Sequence, residues 1–380
     1  IQGGWEGEGN IDSDPLFVDA ANGDYHLSDY SPAIGAGTAA GAPTTDIDGN
    51  ARPNPAGSNP DMGAYENSRS APLEQTMYYV STSGSANGTG FSDSPMSSIQ
   101  TAISASTNGD TVLVAAGTYV EPNAPYSNGY SAGPNLYYKN NLVIMSDGSG
   151  SAIIDLDNHW YGFCFSFSST NNIINGFTIK NAQADRALVT TLNSSTDNTF
   201  QNCIFLTTDG EGVAGSIEYS GFKFVNCTFI GDGANQLMTF GWNDDNTVEI
   251  INSIIYNYDS FINNSCRSGV SISYSEIYNV GGSLPTGVGV LNSNPLFVDA
   301  TNGDYHLSDY SPAIGAGTAT GAPTTDIEGN SLPNPAGSNP DMGAYENALG
   351  GPQHNSFIYV DTSGVDVGSV GLFAAPFKTI

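Results

Sequence analysis

The chain has 380 residues and sets 38 Asp and Glu against eight Lys and Arg, for a formal charge of -30. That balance excludes nucleic acid and anionic membrane as partners, and it suits cations or solubility in a salty extracellular medium. No run of about 18 apolar residues is present, so no membrane-spanning segment is expected.

The opening residues have a second copy. Ser13–Asn67 returns as Ser293–Asn347, in register at an offset of 280 residues. The copies differ only at Asp14/Asn294, Ala21/Thr301, Ala40/Thr320, Asp48/Glu328, Ala51/Ser331 and Arg52/Leu332. Tyr79-Val80 also returns as Tyr359-Val360. The repeat predicts tandem units. Residues 1–67 are read as the end of one unit, 68–76 as a linker and 77–347 as a whole unit. A second linker is then expected over 348–356 and a further unit over 357–380. The chain is thus read as a window cut from a longer tandem protein.

In the whole unit, Met77-Tyr78-Tyr79-Val80 reads as a short strand, followed by a Gly- and Ser-rich loop to Ser94. Ser94-Pro95 reads as an N-cap with Pro at the first helical position. Met96, Ile99 and Ile103 share a helical face, and Asn108-Gly109 ends the helix. Strands are expected at Thr111–Val114 and Gly117–Val120. The amphipathic helix is read as a lid over the open end of a stack of strands.

From 121 to 291 a shorter period takes over. Segments beginning at Phe177, Cys203, Cys227, Ser253 and Ser275 recur every 22–26 residues. Short strands at even spacing with polar turns between them specify an all-β solenoid, a parallel β-helix. Alternation turns first and third positions inward. Phe177, Cys203, Cys227, Ser253 and Ser275 form one stack, and Ile179, Phe205, Phe229, Ile255 and Ile277 the next. Asn202, Asn226 and Asn252 precede three of these strands, where their amides form a structural ladder along the axis and to turn backbone.

Fourth positions face outward and read Lys180, Leu206, Ile230, Tyr256 and Tyr278. This apolar stripe, extended by Trp160, Tyr161 and Trp242, is either a packing surface or sugar-stacking groove, or it is covered by 121–138 or by the closing block. Cys203 and Cys227 lie on neighbouring coils and are read as buried free thiols, with a disulfide the alternative. Cys164 and Cys266 lie several coils apart. The absence of C-x-x-C argues against zinc and redox chemistry.

Tyr78–Gly84, Ser94-Pro95, Ile99–Ile103 and Gly109–Tyr119 resemble the entrance of right-handed β-helices of the pectate-lyase-like superfamily. Residues 292–347 resemble the closing module called choice-of-anchor Q, through Asn294–Asp299, Gly303–Ser308, Ser311–Ile314, Asp326, Gly329-Asn330 and Asp341–Glu346. Gly315 and Gly35 depart from that family's Asp after Ser-Pro-Ala-Ile. Lyases of the superfamily imply a carboxylate-held cation with a Lys or Arg base, and its hydrolases imply convergent Asp. Lys139, Lys180, Arg186, Lys223 and Arg267 fall in no lyase pattern. Asp244-Asp245 reads as a solvated turn, and His26 and His306 occupy one structural position twice. No triad or phosphate loop assembles, so a non-enzyme is expected.

Asp46, Asp48 and Asn50, with Asp326, Glu328 and Asn330, set oxygens at alternate positions before a turn glycine. That is a calcium loop or a metal-free Asx-type turn; no other cofactor is implied. The main expectation is a structural repeat of an extracellular or cell-surface bacterial fibre. Its partners would be identical neighbouring units along the fibre, with lateral self-association or polysaccharide as others. The alternatives are a carbohydrate-binding or polysaccharide-cleaving β-helix, and an adhesin.

Overall fold

The computed structural model describes residues 7, 9–121, 124–125, 131–157, 162–182, 187–192, 195–207, 212–217, 221–234, 236–240, 247–262 and 269–353. Trp160, Tyr161, Arg186, Trp242, Asp244, Asp245, Cys266, Arg267 and the expected start of a further unit at 357–380 lie outside them. Two compact units separate between Thr76 and Met77.

The larger unit is a parallel β-helix whose coils contribute one strand to each of three sheets. The first sheet runs from Met77–Ser85 through Thr111–Val114, Val143–Ser146, Ile173–Asn175, Asn198–Gln201, Gly221–Val225 and Thr247–Ile251 to Val270–Ser273. The second runs from Gly117–Val120 through Ala152–Asp155, Phe177–Lys180, Ile204–Leu206, Thr228–Ile230 and Ile254–Tyr258 to Glu276–Val280. Six further strands, from Asn135–Tyr137 to Ser260–Ile262, make the third. Every pairing within the three sheets is parallel. The five recurring segments of the sequence are therefore one wall of a three-walled coil.

Alternation fills the interior. Phe177, Ile179, Cys203, Phe205, Cys227, Phe229 and Ile255 are fully buried, and Ile277 is nearly so. The registers Ile179↔Phe205, Phe205↔Phe229 and Phe229↔Ile255 stack like on like along the axis. Phe205 and Phe229 lie 5.1 Å apart at 10°, and Phe224 meets each edge-on at 5.6 and 5.3 Å. Such pairs contribute about 0.5–1.5 kcal/mol each beyond burial, so they also fix the register.

The capping helix runs Ile99–Ala105 and buries Ile99, Ala102 and Ile103. Its N-cap is Ser98, whose hydroxyl accepts from Thr101 N, so the Ser94-Pro95 start is displaced. Glu121 explains the shift. Its carboxylate accepts from Ile99 N at 2.7 Å, from Gln100 N at 2.9 Å and from the Ser98 hydroxyl at 2.7 Å, satisfying the free N–H groups of the first turn from the next coil.

Residues 292–353 fold back on the second sheet. Phe297–Asp299 and Asp304–Leu307 form an antiparallel hairpin around the turn Ala300–Asn302. Leu307, Ala313, Ile314 and Met342 then close over Ile254, with Tyr256 and Phe297 at the edge. In the smaller unit the twin module repeats the hairpin as Phe17–Asp19 and Asp24–Leu27, with Leu27, Ala33 and Ile34 as its core.

Candidate functional site

The first sheet carries an outward row in register: Met77, Thr111, Val143, Ile173, Thr199, Lys223, Glu249 and Ser271. Lys223 and Glu249 are its only charged members. They are adjacent because Phe222-Lys223-Phe224 and Val248-Glu249-Ile250 each bury two apolar residues around one outward residue. Lys223 Nζ reaches Glu249 Oε2 at 2.8 Å, with both side chains over a third exposed. The pair lies in a shallow cleft of about 450 Å3 that crosses four coils. Asp197, Thr199, Thr247 and Ser271 also line it, and Gly221 offers bare backbone. The cleft thus combines one ammonium, two carboxylates and three hydroxyls on a rigid wall, a donor and acceptor set suited to a carboxylated, hydroxylated chain.

The other described coil lysines are committed elsewhere. Lys139 Nζ donates to Ser104 O at 3.3 Å and Ser106 O at 2.5 Å, tying the end of the capping helix. Lys180 stands 3.4 Å from Asp155, which also accepts both 2.9 Å bonds of the Asn181 amide. Burial pushes the Asp155 carboxyl up, but the Asn181 bonds, the Asp157 N–H and the Lys180 charge together outweigh it and hold the acid below its usual range.

The apolar stripe is one register row, Val120–Asp155–Lys180–Leu206–Ile230–Tyr256–Tyr278. Leu206 and Ile230 are half-buried. Tyr256 and Tyr278 stack at 5.9 Å, and Phe297 of the closing module meets Tyr256 edge-on at 5.5 Å. This end of the row therefore belongs to the joint with the closing module.

Asn202, Asn226 and Asn252 take left-handed backbone at φ of 50, 51 and 50°, which Asn tolerates better than most residues. Asn252 Nδ2 donates to Asn226 Oδ1 at 3.2 Å along the axis. The amides also reach across to the closing module: Asn202 to Thr325 O at 2.8 Å, Asn226 to Asp341 O at 3.1 Å and Asn252 to Thr318 O at 2.8 Å. Cys203 and Cys227 are buried free thiols that point at backbone carbonyls, Cys203 at Gln201 O and Cys227 at Val225 O. Burial holds the Cys227 thiol far above its usual range.

In the acidic turns, Asp326 accepts from Glu328 N, Asn330 N, Asn330 Nδ2 and Glu346 N at 2.8–3.1 Å. Asp46 repeats this with Asp48 N, Asn50 N, Asn50 Nδ2 and Glu66 N at 2.7–3.1 Å. A carboxylate offers about four lone-pair sites, and here each is turned toward the protein's own N–H groups. Glu328 and Asp48 instead approach His306 and His26, at 3.3 and 2.8 Å. Burial pulls His306 down, but the Asp304 and Glu328 carboxylates outweigh it and hold the imidazole above its ordinary value. Among the described residues, no three His, Cys, Asp or Glu side chains converge as metal ligands. Gly315 has a backbone reason to replace Asp: its φ is 64°, and a Cβ there would stand 2.5 Å from Gly350 O.

Residues 78–269 match the family model described as "Pel9A-like, right handed beta helix region". The chain belongs to that family. Seven solved chains also match in structure. A rhamnogalacturonan lyase is 13% identical over 53% of this chain and 68% of its own, with a TM-score of 0.37. The pectate lyase Pel9A is 18% identical over 71% of this chain and 96% of its own, with a TM-score of 0.35. No curated protein matches. The expectation of a non-enzyme is corrected by the family match, since Pel9A, for which the family is named, is a pectate lyase. Lys223 falls in no lyase pattern along its own strand; the carboxylate beside it arrives 26 residues later on the next coil.

Proposed function

We propose that the chain binds and cleaves a uronate-bearing polysaccharide in the cleft at Lys223. The observation that carries the reading is Lys223 paired with Glu249 in a cleft that Asp197 also lines, inside the family region. Lys223 turns from Glu249 to the sugar chain, while the hydroxyls of Thr199, Thr247 and Ser271 meet sugar hydroxyls along the cleft. In a β-elimination, a base takes the proton α to the uronate carboxyl. That C–H pair becomes the new C=C bond, and the glycosidic C–O bond breaks with its electrons on oxygen, which leaves as a hydroxyl after protonation from water. Lys223 is the base, and it acts in its uncharged form. The superfamily resemblance implies a resident cation. The donor set does not fit one, because the cleft offers two carboxylates and one of them is paired to Lys223.

The test is release of unsaturated ends, followed by ultraviolet absorbance, from de-esterified polygalacturonate and from a neutral glucan. Cleavage of the acidic polymer alone is expected, and Lys223→Ala should lower it about 100-fold or more with unchanged circular dichroism. No unsaturated ends from any uronate polymer, or equal rates in the variant, would overturn the proposal.

The module copies favour a second, compatible reading, in which such clefts recur along an extracellular array of tandem units. Electron micrographs of the natural product with evenly spaced β-helix segments would support it, and isolated single particles would count against it. No helix among the described residues is long and apolar enough to cross a membrane.

A further inference from the structure

The second sheet ends at Glu276–Val280, its terminal strand. The chain comes back beside that strand at one bridge, Glu276 with Leu291, so the last rung is covered at its start and not at its end. A cavity of about 450 Å3 opens at the uncovered end, lined among others by Asn257, Asp259, Tyr278, Asn279, Leu284 and Asn292. It shares no lining residue with the cleft at Lys223. Its volume falls within the range of about 300–1,000 Å3 in which small ligands are held.

The polar groups of this cavity are only partly used by the protein. Asn257 and Asn279 stand in register on neighbouring coils, both in left-handed backbone at φ of 65 and 53°. Asn279 Nδ2 donates to Asn257 Oδ1 at 2.6 Å, and Asn257 Nδ2 donates to Gly231 O at 3.0 Å. Asn257 is thereby satisfied, and the ladder stops at Asn279 because no coil follows. Among the described residues, Asn279 Oδ1, the Asp259 carboxylate, the Asn292 amide and the Tyr278 hydroxyl have no hydrogen-bond partner. Tyr278 stacks on Tyr256 at 5.9 Å toward the preceding coil, and Leu284 adds a half-buried apolar surface.

We infer that this cavity is a binding site for a neutral glycan, separate from the cleft. An amide offers a donor and an acceptor side by side, and a carboxylate accepts from two hydroxyls, which matches the neighbouring hydroxyls of a sugar. Tyr278 and Leu284 meet the C–H face of the same ring. Charge decides against an acidic sugar: no Lys, Arg or His lines the cavity, Asp259 is its one charged group, and the chain carries a formal charge of -30. The site therefore selects the opposite class of sugar from the one the ammonium of Lys223 recruits.

The inference does not rest on cleavage at Lys223, and binding to the full chain tests it. Titration calorimetry with cellotetraose, β-1,4-galactotetraose and tetragalacturonate should show binding of at least one neutral tetraose. Tyr278→Ala should weaken that binding about fivefold or more, while Lys223→Ala leaves it unchanged. Asn292→Ala alters an exposed side chain, should weaken it about threefold, and repeats the measurement if Tyr278→Ala loses β-sheet dichroism. Binding of neither neutral tetraose, or equal binding by Tyr278→Ala and Asn292→Ala, would overturn the inference. Tetragalacturonate that binds the Lys223→Ala chain as tightly as the neutral sugars do would overturn it too.

Discussion

The two closing modules are almost one sequence in two environments, and their differences separate what the module does for itself from what the coils do to it. In both, a single aspartate holds the loops together: Asp341 accepts from Gly315 N and Asn347 N at 2.7 Å, and Asp61 from Gly35 N and Asn67 N at 2.7 and 2.6 Å. Only Asp341 lies under a joint made with the β-helix, through its own backbone carbonyl and Asn226. Burial pushes its carboxyl up to about 7, while burial raises Asp61 from its ordinary value beside exposed Gly63 and Ala64. The local fold is therefore intrinsic to the module, and the electrostatics are imposed by the neighbour.

The comparison is broken most severely by removing that aspartate. Asp341→Ala strands two buried N–H groups and should cost about 3 kcal/mol, since each unsatisfied buried donor costs about 1–3 kcal/mol and relief of a buried acid offsets part of it. Asp61→Ala should cost about 2 kcal/mol or less, because water reaches the loops beside exposed Gly63 and Ala64. Amide exchange resolved by module measures both separately, which one global melting curve of a two-unit chain cannot. Equal losses in the two modules would mean that the coils add nothing to the second.

Asn252→Ala should come next. It removes the paired bonds to Thr318 and the axial bond to Asn226, at about 2 kcal/mol. Faster exchange is expected over 317–344 and none over 37–64. A uniform change across both modules would show that Asn252 supports the coil and not the joint.

The ladder also marks how far the sequence can be read. The second sheet was legible because Phe177 and Ile179, Cys203 and Phe205, and Cys227 and Phe229 alternate at a constant spacing, and burial follows that alternation residue by residue. The ladder asparagines were visible before their strands. Their bonds to Thr318, Thr325 and Asp341 were not, because contacts 66–123 residues apart leave no local pattern. Glu121 was invisible as a helix cap for the same reason. The oxygens of Asp46 and Asp326 read alike whether they face a cation or their own backbone, so spacing alone left both meanings open. Lys223 had a usable signal in Phe222-Lys223-Phe224 and Val248-Glu249-Ile250, two matched strands with outward opposite charges.

A titration sharpens the comparison further. Glu276, on the coil beneath the second module, is buried, and the only described bond of its carboxylate is a 2.5 Å one from the Ser293 hydroxyl; burial pushes it up to about 7. Asp341 and Glu276 therefore hold their protons more tightly folded than unfolded. Their contribution is fully present below pH ~4, where both states are protonated, and is lost as pH rises through about 7. Exchange at 291–293 and 340–346 should accelerate over that window, and less so at 60–66. Glu276→Gln with Asp341→Asn should flatten the dependence; a slope unchanged by both substitutions would place its origin elsewhere.

The smallest effect sits at the one difference that exchanges a charge for an apolar side chain. Arg52 Nε bonds Glu66 Oε1 at 2.7 Å, and its terminal nitrogen bonds Gly63 O at 3.0 Å. In the twin, Leu332 is buried, and burial raises the Glu346 carboxyl, which has backbone donors from Asn334 and Asp341 but no Arg52 equivalent. Stripping a buried ion pair of one partner commonly costs about 3–5 kcal/mol. The twin argues for less, because the same glutamate is held there by the same backbone bonds without a cation. Arg52→Leu should thus cost about 1–2 kcal/mol by module-resolved exchange, near the value of a hydrogen bond to a charged group. Leu332→Arg should change stability by about 1 kcal/mol or less at neutral pH and lower the titration of Glu346. A loss in Arg52→Leu of about 3 kcal/mol or more would mean that the first module depends on its cation, and that the two copies have diverged in what holds them together.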